Sequence, residues 1–156
     1  MIRRFATALI AIALATPVAS NSAAAEDAVR KPLTGSAEEN AIEDVLRPPM
    51  EALFGKPIAF RVQAITVFRD YAYVLLHPER PGGKPIEEAT WKKALNGCGQ
   101  DRGDVTIEAL LKKNGNDWRF DLPASGQPDA CASDTIVGED VLKARGLPLD
   151  MILLED

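Results

Sequence analysis

Residues 58–76 read IAFRVQAITVFRDYAYVLL, and the alternation on either side of one short polar break decides the fold. Ile58, Phe60 and Val62 alternate with Ala59, Arg61 and Gln63, so an extended chain here has one apolar side. Near Ala64 the phase slips, and Ile65 and Val67 carry the apolar side onward, as a β-bulge would require. Arg69-Asp70 makes a short turn, and residues 71–76 return as a second strand up to His77-Pro78. The two runs form an antiparallel hairpin.

Upstream of the hairpin the period changes from two to about 3.6. Ser36-Ala37-Glu38-Glu39 fits a capping box, in which the serine hydroxyl and the later glutamate satisfy free amides at a helix start. Ala41, Ile42, Val45 and Leu46 then share one face, which Met50, Leu53 and Phe54 extend. Pro48 and Pro49 interrupt the run, and proline's missing donor and crowded ring predict a kink or a restart there. Gly55 and Pro57 end the helix.

Downstream, residues 80–85 are too rich in proline and glycine for a regular element and read as a loop. Residues 86–95 read as a short helix with Trp91 and Leu95 on one side. Residues 105–113 and 117–122 read as two further strands joined through Asn114-Gly115-Asn116, a strong hairpin signal. An irregular stretch at 123–135 precedes a last helix over 139–145, closed by Gly146 and Pro148. Met151-Ile152-Leu153-Leu154 is apolar and needs cover from the core or from a partner. The expected fold class is α+β: an N-terminal amphipathic helix on a curled antiparallel sheet of about four strands, with one or two short extra helices.

The first 25 residues have another character. Arg3 and Arg4 precede the apolar run from Phe5 to Ala15, and Ala23-Ala24-Ala25 then meets Glu26-Asp27, the order of a secretory signal peptide. The run is about eleven residues, short of the roughly 20 that span a bilayer, and no second long apolar run follows. The expected organisation is a signal peptide over 1–25, a mobile leader over 26–35 and one domain over 36–156. That places the product in the periplasm or outside the cell by the general secretion route. Without Arg3 and Arg4 the 18 basic residues become 16 against 23 acidic ones, a net charge of −7. Such a balance argues against nucleic acid and anionic membranes and suits a cationic partner.

Cys98 and Cys131 are the only cysteines, and an even pair in an oxidising compartment reads as a structural disulfide. It would close about 34 residues and restrict the unfolded chain by roughly 3–4 kcal/mol. Neither C-x-x-C spacing nor a histidine cluster is present, so no metal or cofactor is expected. His77 is the sole histidine and therefore the one weak candidate for acid or base catalysis. No serine sits in a nucleophile elbow, and the many aspartates show no facing pair. Tyr71, Tyr73, Trp91 and Trp118 are the candidate lining of a pocket, though the same aromatics serve equally as core.

Three groups of segments carry a family resemblance. They are Ala41-Ile42-Glu43-Asp44-Val45-Leu46-Arg47-Pro48 before Tyr71-Ala72-Tyr73-Val74, the loop Arg80-Pro81-Gly82-Gly83, and Val105-Thr106-Ile107-Glu108-Ala109-Leu110-Leu111 with Trp118-Arg119. In that order they resemble small secreted bacterial proteins of the cystatin-like or ketosteroid-isomerase-like α+β class, of uncharacterised function. The resemblance implies fold and compartment and no activity. Charge, compartment and the missing catalytic motifs favour an exported periplasmic, non-enzymatic binding or accessory protein, for instance an inhibitor or an envelope-associated factor. Its partner would be a protein or an envelope component. The alternative is a small-ligand carrier or pocket enzyme of the ketosteroid-isomerase-like class, with His77 or an aspartate as acid or base.

Overall fold

The computed structural model describes residues 27–94, 106–121 and 137–153. Helix α1 (Ala37–Phe54) begins at Ser36, whose hydroxyl accepts the Glu39 N–H at 3.2 Å. The Glu39 carboxylate reaches back one residue further than a capping box requires and takes the Gly35 N–H. Ser36 gives its own N–H to the Leu33 carbonyl. Ile42, Leu46, Met50 and Phe54, spaced by four, form the buried stripe, none more than 1% exposed.

Of the kink or restart expected at Pro48-Pro49, the restart does not occur: α1 runs through both prolines as one helix. Pro48 is exposed and Pro49 half-buried, while the stripe continues on both sides of the pair into one core. Burial of that stripe offsets the two missing N–H donors. At the far end Gly55, at a φ of 76° that only glycine adopts freely, gives its N–H to the Glu51 carbonyl.

Strands β1 (Ala59–Phe68) and β2 (Tyr71–Arg80) pair antiparallel, with Ile65 opposite Val74 and a register shift between Val62 and Ala64. The phase slip is therefore a bulge, and Gln63 is its extra residue. β2 runs past His77-Pro78 to Arg80, and part of the expected 80–85 loop is a tight hairpin into β3 (Lys84–Pro85). Gly82 and Gly83, both at positive φ, make that turn. Helix α2 (Glu88–Ala94) follows, then β4 (Ile107–Asn114), β5 (Asp117–Phe120) and helix α3 (Glu139–Ala144). A single turn of 3-10 helix over Leu149–Met151 closes the described chain.

The sheet order is β1-β2-β4-β5, all antiparallel, with β3 on β2 beyond the end of β4. It is curled and does not close, so the fold is α+β. Both faces are covered. One packs Ile65, Val67, Val74, Leu76, Ile107 and Leu111 against the α1 stripe, with Trp91 and Trp118 at the sides. The other packs Phe68, Tyr73 and Leu110 against Val137, Leu142, Leu147 and Met151. The Thr66 hydroxyl donates to the Met151 carbonyl at 2.6 Å, and Arg145 pairs with Asp121, so this second layer is pinned at two points. The apolar end of the chain is thus covered by its own core as far as Met151.

Candidate functional site

Both faces of β2 place candidate residues, and the sheet separates them. Tyr71 and Tyr73 point to the α3 side, whereas Trp91 and Trp118 pack on the α1 side. The four aromatics therefore line no common space. His77 lies on the same face as Tyr73, half-buried, with Nε2 3.1 Å from Gln63 Oε1 and Nδ1 3.4 Å from Thr106 Oγ1. The amide oxygen can only accept, so Nε2 carries the proton in that contact. Cys98 and Cys131 lie outside the described residues. Among the described residues no three His, Cys, Asp or Glu side chains gather as a metal-binding group.

One polar contact sits deep under the second layer. The Tyr73 hydroxyl donates to Glu108 Oε1 at 3.1 Å, with Tyr73 4% and Glu108 8% exposed. Burial, then the neighbouring carboxylate's charge and its hydrogen bond, push the Tyr73 phenol far above its ordinary range. It remains a proton donor at any physiological pH. Glu108 is opposite Leu75 and Thr106 opposite His77 by continuation of the same register, so tyrosine, glutamate and histidine occupy one row of neighbouring positions. Glu108 escapes a search for motifs, but a lone carboxylate inside the run Ile107-Glu108-Ala109-Leu110-Leu111 is a signal the sequence carries.

An open space among the described residues lies elsewhere. A groove of about 600 Å³ runs along the outer side of β1, between that strand, the first turns of α1 and the segment that leads into the helix. Its floor is Phe60, Val62, Ala64 and Ile65 with the bulged Gln63, its helix wall Glu39, Asn40 and Glu43, and its outer wall Lys31, Pro32 and Thr34. Three local events build it. The cap fixes Glu39; the bulge displaces the β1 edge at Gln63, whose side chain contacts His77; and the leader is held to the sheet before it enters the helix.

That hold is specific. Arg30 and Val67 exchange two backbone hydrogen bonds, of 2.9 and 2.7 Å, as an antiparallel bridge. The Arg30 guanidinium makes a two-pronged contact with Glu38 at 2.5 and 2.8 Å, and Arg69 binds Asp27 from the hairpin turn. Residues 27–30 thus lie on the sheet edge. Two residues beyond Arg30, Pro32 has no N–H to continue the ladder, and the pairing stops at the single bridge.

The groove's electrostatics lean acidic. Burial raises the Glu43 carboxyl above the ordinary glutamate range, and the Glu39 charge adds to the rise; Arg47, at 3.6 Å, works against it. The Arg47 guanidinium also sits 5.1 Å from the centre of the Phe60 ring and donates to the Ile58 carbonyl at 2.6 Å. Glu43 and Gln63 escape the sequence reading because the groove depends on a contact between Arg30 and Val67, residues with no local signature of pairing. No protein-family model, no curated protein and no solved structure matches this chain.

Proposed function

We propose that the protein is exported to the periplasm, carries a Cys98–Cys131 disulfide, and works there as a non-enzymatic binding or accessory protein whose partner docks in the β1 groove. One observation carries the reading: the space between α1 and the sheet is filled by side chains at most 1% exposed along the stripe, whereas a groove among the described residues lies open along a sheet edge. A catalytic pocket concentrates its polar groups inside an enclosing cavity. An edge groove instead presents backbone and side chains to a partner. The acidic surplus of the mature chain favours a partner segment of opposite charge.

The test is native-size chromatography of a periplasmic extract from the protein's own host, followed by mass spectrometry. The wild-type chain, beginning near Glu26, should elute in a complex with another protein, and N40W, which fills the groove from an exposed position, should elute alone. Elution of both as the monomer, or a complex made only of copies of this chain, would contradict the reading.

A second reading rests on the row of Tyr73, Glu108 and His77. A protonated phenol on a buried carboxylate beside an imidazole is the kind of polar group a ketosteroid-isomerase-like ligand site would use. Under this reading Y73F and H77A abolish binding of an apolar carbonyl compound while N40W leaves it intact. Unchanged binding in Y73F and H77A would remove it.

A further inference from the structure

The first rung of an added strand is already present on the outer edge of β1. β1 is the terminal strand of the sheet, and Arg30 pairs with Val67 through both of its backbone groups. Backbone groups alternate in direction along a strand, so Ile65, two residues from Val67, directs its N–H and C=O to the same outer side. Ile65 lines the groove, and the leader's backbone pairing ends at the Arg30 bridge, with Lys31, Pro32 and Thr34 forming the outer wall. Among the described residues no backbone hydrogen bond beyond the sheet's own ladder reaches Ile65 or Val62.

We propose that the groove admits an extended segment of a partner protein as an additional antiparallel strand on β1, continuing the line begun by Arg30, with a lysine or arginine directed at Glu43. The inference rests on the binding reading above and names what is bound. Strand addition draws affinity from the main chain and selectivity from the pockets for alternate side chains. In this groove the pockets differ. A side chain turned toward α1 meets Glu39, Asn40 and Glu43, with Phe60 and Val62 below to hold an aliphatic stem. The Glu39 carboxylate is already engaged by the Gly35 N–H, which leaves Glu43 as the group with most to gain from a cation. Its desolvated carboxyl, only partly offset by Arg47, agrees with that assignment. The bulge at Gln63 bends the edge, and with Pro32 it keeps a second copy of β1 from stacking flat against the first.

The experiment uses the chain from Glu26 onward, labelled for amide NMR, and three capped hexapeptides. One alternates valine with lysine, the second alternates valine with glutamate, and the third is the lysine peptide with alternate amides N-methylated. The lysine peptide should shift the Ile65 and Val62 amides and slow hydrogen exchange at Ile65. The glutamate peptide should bind at least about tenfold more weakly, as should the N-methylated one, a difference of about 1.4 kcal/mol each. E43Q should close most of the gap between lysine and glutamate, and N40W should abolish all three. Equal binding of the N-methylated peptide, shifts confined to another face, or no shift at Ile65 would each overturn strand addition. If that happens while the wild-type complex still dissociates with N40W, the groove binds a partner by side chains alone and the broader reading stands. If the complex is also absent, both fall.

Discussion

Arg80 does work that no motif announces. From the end of β2 its guanidinium donates to the carbonyls of Phe54, Gly55 and Pro57 at 2.8, 2.7 and 3.2 Å, and to Glu87 at 2.8 Å. The last turn of α1 has no basic residue of its own, so a distant strand supplies the positive charge its carbonyls attract. R80A should lower unfolding free energy by about 1.5–3 kcal/mol in urea titration, the range for hydrogen bonds to a charged group. R80K should recover only part, because a single ammonium cannot span the fork. Tyr73 makes a second residue-scale case. Y73F removes the donor from Glu108 and should destabilise by about 1–3 kcal/mol. In a spectrophotometric pH titration Tyr73 should ionise only beyond the ordinary tyrosine range, and early ionisation would contradict its burial.

Among the elements, α1 and the edge it shelters set most of the architecture. Leu46 lies in the middle of the buried stripe, so L46A should cost about 2–5 kcal/mol, whereas the exposed P48A should stabilise, by up to about 3 kcal/mol, by restoring a helix donor. The leader has its own pH dependence. The Arg30 guanidinium holds the Glu38 carboxyl below its ordinary range, so the clamp's stabilisation is present above that range and fades as pH falls through the lowered value. Protection of the Val67 amide, after correction for the intrinsic pH dependence of exchange, should therefore fall in acid, and R30Q should remove most of that dependence. The hairpin, the bulge and the cap were legible in the sequence because each is a short-range pattern: alternation in 58–76, a slip at Ala64, Ser36 three residues before Glu39. The cover on the second face was not, because Val137, Leu142, Leu147 and Met151 come from short elements with no repeating period. Continuity through Pro48-Pro49 stands open in the sequence between a kink and a restart for the opposite reason, a strong local signal that burial on both sides of it overrules.

At the scale of the whole molecule, a sheet buried on both faces leaves its edges as the places where backbone can still be addressed. The β5 edge is a four-residue strand with Asp117 and Arg119 exposed, which blunts pairing. The β1 edge is ten residues long, occupied at Val67 and grooved from Ile65 to Phe60. The binding account therefore predicts a contact confined to one side of the molecule. Site-specific photo-cross-linking in the protein's own host tests this most directly, with the reactive side chain placed at Asn40 in one variant and at Arg119 in another. A defined adduct from Asn40, with none from Arg119, is the predicted result; adducts from both positions alike, or from Arg119 alone, would contradict it.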